Sequence, residues 1–411
     1  MTILRIGVVA LMLLPSLALA KPVARITVDA GKYERADTPV MVALPAGFSW
    51  KNFALMEVTE GKRLATQSQV AGEGNAVRLC WILAGTTPAG KQRIFELEKG
   101  KPDESVGVDI RETDKSVEVL CGGKTVLAYN HAVEPAPAGM DKNYAKSGFI
   151  HPVCSPGGQV LTQIHLPDHI HHMGLWNAWT STEFEGRKID FWNIKKGVGT
   201  VRFAKYLAKE HGPVFGGFKV VQEHVDLSAP GGTKVALKED IEVKVWDTRK
   251  GYWLFDWISV QKCASPSPLH LLKYRYGGFG FRATEEWDKS NSDYLTSEGK
   301  TRVDGHGTRA RWCNISGKTT KGPAGILLMA DPQNREFPEP IRIWSEKDHN
   351  GKVFFNFCPI QEKDWMLEPG RDYVFRYRAC VYDGTITKER AEQLWIDLGY
   401  PPEVKVEKIA D

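Results

Sequence analysis

Apolar and polar residues alternate in short segments along most of the chain, with turn-forming residues between them. "VARITVDA" (23–30), "VMVALP" (40–45), "VRLCWILA" (77–84) and "QRIFELE" (92–98) come first. Alternation with period two places one face of each segment on a core and predicts β-strands. "GKPDES" (100–105) interrupts the pattern and is read as a domain junction. "SVEVLCGGKTVLAY" (116–129) predicts a hairpin, because Gly122-Gly123 supplies the positive φ angles of a two-residue turn. "EPAPAGMDKNYAKSGF" (134–149) has no periodicity and is long for a simple connection, which marks it as a functional or disordered loop. Strands resume at 216–227, 234–246, 252–261, 269–282, 324–330, 352–357 and 372–383, several with apolar residues on both phases. That pattern suits strands covered on both faces. One helix is predicted near the C-terminus. Thr387 can cap it, Ala391, Leu394, Trp395 and Leu398 recur at helical spacing, and Gly399 with Pro401-Pro402 stops it.

These elements predict an all-β dominated fold, a large antiparallel sandwich with a C-terminal helix. Residues 21–103 are expected to form a small N-terminal β domain and residues 104–411 the sandwich domain. Residues 1–20 read as a secretion leader. Arg5 precedes an apolar run from Ile6 to Leu14, and "ALA" (18–20) is a small-residue cleavage site. The run is shorter than the roughly 20 residues a membrane span needs. The mature chain is therefore expected to start at Lys21, to be exported to the periplasm or beyond, and to have no membrane span after cleavage.

Charge adds an exclusion. The net charge is +4 and no block of five basic residues occurs, so nucleic-acid binding has no electrostatic footprint. Seven cysteines stand at wide spacings without a CxxC pair. They are read chiefly as small buried hydrophobes, with room for one or two bridges.

The densest chemistry lies in "PDHIHHMGLWNAW" (167–179). If this segment is extended, His165, His169 and His171 share one face, and Asp168 and His172 share the other. Such a set can ligate a divalent metal, with His169 and His171 as ligands, or can move protons, with His169 and His172 as the exchanging groups and Asp168 as an orienting carboxylate or substrate contact. Trp176, Trp179 and Trp192 stand close by in sequence, and an exposed indole among polar groups suits the face of a sugar ring. Glu185 is one candidate catalytic carboxylate. Glu298, in the polar block 294–312, is the other. Arg282, which ends the glycine-rich run "YGGFGFR", and Arg302 are candidate substrate contacts. That run lacks the spacing of a phosphate cradle, and no G-x-S-x-G elbow occurs.

The segments "SGFIHPVCSPGGQVLT" (147–162), "DHIHHMGLWNAWT" (168–180), "FEGRKIDFWN" (184–193), "YGGFGFR" (276–282), "LTSEGKTR" (295–302) and "FFNFCP" (354–359) resemble a bacterial family of unknown function labelled "PmoA-like" or "methane oxygenase PmoA". The resemblance spans roughly 115–385. Members commonly carry Pro where Ile170 stands and Arg where Met173 stands. The resemblance implies a β-supersandwich like that of galactose mutarotases, with histidine and carboxylate side chains acting on a sugar from one concave sheet. It points to His169, His171 and His172, with Trp176, Trp179, Glu185 and Glu298 nearby. The expectation is an exported carbohydrate-active enzyme, of epimerase, lyase or oxidised-glycoside-cleaving type, taking a small-molecule or oligosaccharide substrate, with a divalent metal as an optional cofactor. The alternatives are a non-catalytic glycan-binding module and, as the label implies, a metal-dependent oxygenase.

Overall fold

A computed structural model describes residues 21–45, 53–59, 62–72, 77–101 and 105–409. The leader expected at 1–20 lies outside the described residues, as does part of the junction at 100–105. Two large antiparallel sheets form the body. One has nine strands, with Leu175–Ala178, Gly278–Arg282 and Phe354–Phe357 adjacent near its middle. The other has eight, including Phe215–Asp226, Lys234–Trp246, Tyr252–Cys263 and Tyr373–Asp383. The fold is thus the all-β sandwich predicted, with a C-terminal helix. No helix among the described residues is long and apolar enough to cross a membrane.

The expected hairpin is present. Ser116–Cys121 pairs with Lys124–Asn130 across Gly122 and Gly123, whose φ angles are 56° and 78°. The helix Lys388–Gly399 begins where Thr387 accepts a hydrogen bond from the Arg390 amide at 3.2 Å. Its buried face, Ala391, Leu394 and Trp395, packs on Trp312, Leu327 and Met329 of the eight-stranded sheet. Residues 22–99 form a five-stranded and a three-stranded sheet around Ile26, Val28, Trp81 and Phe95, and the C-terminal strand Glu403–Lys408 completes the first of these. A buried ion pair, Arg35 with Asp397 at 3.1 Å, ties this unit to the helix. The seven cysteines are unbridged, and all but the half-buried Cys263 are fully buried.

Between the large sheets, period two sorts the side chains. Phe279, Phe281, Phe355 and Phe357 point inward, where Phe279 meets Trp257 at 4.9 Å and Tyr377 at 4.4 Å. One polar network sits in this core. Glu239 accepts hydrogen bonds from Asn177 (2.6 Å) and Ser259 (2.5 Å) and contacts His224 at 3.0 Å. A second buried acid, Glu339, accepts from Asn334 at 2.9 Å and Tyr377 at 3.0 Å.

Burial raises the Glu339 pKa to about 8, against the pull of its two hydrogen bonds. The unfolded chain releases this proton near the ordinary glutamate value, whereas the folded chain keeps it. The contribution to stability is therefore complete below the ordinary value and is lost as pH rises toward 8. Glu339→Gln, which keeps both partners without the charge, is expected to unfold at a higher temperature than the wild type by a margin that grows from pH 5 to pH 8. Thermal melts across that range measure the margin, and a constant margin would contradict the assignment.

Candidate functional site

The histidine segment folds as a short two-stranded ribbon, Ile164–Leu166 against His169–Met173, turning at Pro167 and Asp168. The register slips between Ile164 and Leu166, and His165 takes a left-handed φ of 53°. Such an irregularity twists a strand and re-aims its side chains. The even-odd separation expected for 165–172 is consequently not observed. His169, His171 and His172 converge, with ring centroids 4.7 to 5.3 Å apart and ligand nitrogens within 4.8 Å of one another. His165 is not part of that group.

The cluster rests on the outer face of the nine-stranded sheet. Trp176, Arg282 and Phe354 alternate outward from three neighbouring strands, and Trp192 folds in from a turn in which Asp190 accepts from the amides of Trp192 (3.0 Å) and Asn193 (2.8 Å). His172, only 3% exposed, lies 4.7 Å from Phe354 and 5.1 Å from Trp176. Gly280 makes this floor possible. A Cβ there would lie 2.8 Å from the Trp192 ring and 3.2 Å from that of Trp176.

A second arm closes the cup. The turn Asp348–Gly351 carries His349, whose ring is 4.3 Å from both His169 and Trp344. His349, Asp168 and His169 form a second group with nitrogen and oxygen atoms within 4.8 Å. The sequence offered only a lone histidine in a polar D-H-N-G turn as a signal for it. Arg302, expected to touch substrate, is instead buried and anchors this turn. Its guanidinium donates to the carbonyls of Gly351 (3.0 Å) and Ser292 (3.1 Å).

The electrostatics are graded with depth. Asp168 sits between His169 Nδ1 (3.1 Å) and Arg282 Nη2 (2.8 Å). Partial burial favours its neutral form, but the His169 and Arg282 hydrogen bonds and the Arg282 charge outweigh that and hold its pKa at about 2. Arg282 is fully buried, 4.6 Å over the Trp344 ring, with Nε and Nη1 unpartnered. Burial first, then the neighbouring histidine and cationic charges, pushes His171 down to about 3 and His172 well below the usual imidazole range. Both are neutral at pH 7. Lys146, from the irregular segment 134–149, adds a buried ammonium with an unpartnered Nζ, and burial lowers its pKa to about 8.

Other predicted site residues lie elsewhere. Trp176 and Trp192 are in the site but 1% and 0% exposed, so they are floor and not a platform for a sugar face. Trp179 is on the opposite phase of its segment and points into the sandwich, donating to Gln261 at 2.9 Å. Glu185 is held by Lys234, by Ser267 at 2.7 Å and by Arg187 at 3.2 Å, and the first two bonds lower its pKa to about 2. Glu298 lies beside the helix, with Ser297 (3.0 Å) and Arg311 (3.6 Å) as partners. Neither glutamate shares a contact with the imidazoles. The carboxylate of this site is Asp168.

The description "family of unknown function (DUF6807)" matches residues 116–396. The chain belongs to this family. The matched span contains the whole imidazole cup, from Lys146 through His349 to Phe354. No curated protein matches this DUF6807 chain. Among solved structures it is similar to the heparan sulfate lyase HepC from Pedobacter heparinus, at 10% identity and a TM-score of 0.30, over 71% of this chain and 38% of the lyase. It is also similar to a TPR-domain containing protein from Parabacteroides distasonis, at 11% identity and a TM-score of 0.25, over 90% of this chain and 56% of that one. The family member thus spans well under half the length of the lyase, and neither likeness carries a function to it.

Gly280→Ala is expected to destabilise the fold by ~1–3 kcal/mol, the usual cost of overpacking a rigid site. Denaturant melts give the stability. The near-UV circular dichroism of the displaced indoles should change with it, and an unaltered protein would show that the glycine is not required.

Proposed function

We propose that the chain is an exported carbohydrate-active enzyme that works by proton transfer at His169. The observation that carries this reading is one partly exposed imidazole at the mouth of a cup, oriented by an ionised carboxylate and backed by two neutral imidazoles. An ionised Asp168 can only accept, so His169 Nδ1 donates to it, and in the neutral ring the Nε2 lone pair is then the one available for a substrate proton. That proton comes from a hydroxyl or from a carbon beside a carbonyl, and the oxyanion that develops needs a stabilising partner in the cup. Carbohydrate as the substrate class rests on the family resemblance of the sequence and on an open, polar, aromatic-backed site. Export rests on the leader pattern.

The nitrogen geometry favours a second reading of the same cup, in which His169, His171 and His172 hold a divalent cation. Two ligands at ~2.1 Å from a tetrahedral zinc lie ~3.4 Å apart, so a span of up to 4.8 Å needs closure by as much as ~1.4 Å. A cation there would supply Lewis-acid stabilisation of the oxyanion. A bound divalent ion in the purified protein, lost in His172→Ala, would favour this reading. No uptake of zinc, manganese, iron or copper in titration calorimetry would remove it.

A thermal-shift panel of mono- and disaccharides, including keto sugars, tests the substrate class. A true ligand at a hundredfold excess over its Kd stabilises by ~2.7 kcal/mol. For a sugar that is turned over, His169→Ala should lower kcat by ~10²–10⁴-fold, the usual contribution of a general acid or base, while binding persists. Binding without turnover in the wild type would convert the reading to a glycan-binding module.

A further inference from the structure

Beyond the imidazole cup the outer face of the nine-stranded sheet becomes cationic. Trp192, 6.1 Å from His172, is 5.5 Å from Tyr276. Two guanidiniums share the Tyr276 ring, Arg342 at 5.1 Å and Arg275 at 5.7 Å from its centroid. Strand register explains the position of Arg342. It lies opposite Asn356 and between Ile341 and Ile343, which are buried on the inner face, so its own side chain is directed outward.

These two arginines differ from the others on the sheet margin. Arg309 is paired with Glu336 and Glu362, and Arg311 with Glu392. Arg275 and Arg342 have no carboxylate partner among the described residues. Asp348, which acts on the Arg342 charge, is committed to the amide and hydroxyl of Ser345, both at 2.8 Å. The Tyr276 hydroxyl is likewise taken, donating to Asn193 at 3.0 Å. Arg275 opens on a groove of about 640 Å³ that His306 and Lys273 also line. Its one carboxylate, Glu362, is bound to Arg309.

Two like charges held against one ring repel each other, the half-buried Arg342 also loses hydration, and an anion between them relieves both penalties. We propose that the Arg275 end of this groove, where Arg342 approaches the same Tyr276 ring, is the subsite for an oxyanion carried by the substrate, so that the protein acts on acidic sugars bearing a carboxylate or sulfate. Arg342 and Arg275 present planar donor forks, the geometry suited to such a group. The Tyr276 ring that carries both guanidiniums is joined to the imidazole cup through Trp192, which puts the anion site on the same sheet face as the cup. The inference rests on the carbohydrate reading above and adds the charge of the substrate to it.

The test is titration calorimetry with matched mono- and disaccharides that differ only at C6, as hydroxymethyl, carboxylate or sulfate. The charged member should bind about tenfold tighter or more, as expected for hydrogen bonds between charged groups. The preference should weaken with added salt and vanish in Arg275→Gln/Arg342→Gln. Arg275→Gln alone, at an exposed position, should weaken it if the double variant does not fold. The carboxylate and sulfate arms tell which oxyanion is preferred. Equal binding of charged and neutral members by the wild type, or a preference that survives in folded variants, overturns the anionic subsite and leaves the carbohydrate reading standing. Failure of every sugar to bind overturns both.

Discussion

The site depends on the central strands of the nine-stranded sheet being buried on both faces. Their inner residues build the sandwich core against Trp257 and Tyr377. Their outer residues, Trp176, Arg282 and Phe354, are covered in turn by the histidine ribbon and the Asp348–Gly351 turn. A strand buried on one face only would leave this surface wet. Here the second covering layer takes the imidazoles out of water, and desolvation disfavours their charged forms. Neutral imidazole rings at the bottom of a cup are thus a consequence of how the sheet is covered.

Depth then separates the roles. His172 is sealed against rings on several sides, while His169 remains within reach of solvent and of Asp168. Arg282 links the two levels. It is buried under the cup, yet its Nη2 reaches Asp168 and keeps that carboxylate ionised. A buried guanidinium with two unpartnered nitrogens is expensive to desolvate. The Trp344 face and Asp168 offset part of that cost. Removing Asp168 would leave the cation uncompensated as well as freeing His169, so both effects would appear together in any substitution there.

Period two and turn chemistry made most of the architecture legible. The Gly122-Gly123 hairpin, the Thr387-capped helix and the doubly apolar central strands all follow from local rules that tertiary packing did not override. The histidine cluster was legible by its density. Its geometry was not, because one register slip in the ribbon cancels the parity on which the face assignment relied. His349 was illegible for a different reason. It is 177 positions from His172 in the sequence numbering and sits in a polar turn indistinguishable from a solvated one. Arg302, Glu185 and Glu298 are charged residues in polar stretches, and charge alone does not distinguish a substrate contact from an arginine that satisfies backbone carbonyls or a carboxylate held by a lysine or arginine.

The indoles bear on the choice between catalysis and adhesion. A module that holds sugar by stacking needs an aromatic face open to solvent. Trp176, Trp192 and Trp344 are each at most 1% exposed, and their faces are occupied by imidazole, phenyl and guanidinium groups. Their packing fixes the rotamers of the histidines above them, which is the support a reacting group needs to hold its geometry. What remains exposed at the mouth is His169, Asp168 and His349, groups that can move a proton or hold a cation. With their surface used beneath the imidazoles, these three indoles offer no open face on which a sugar ring could stack.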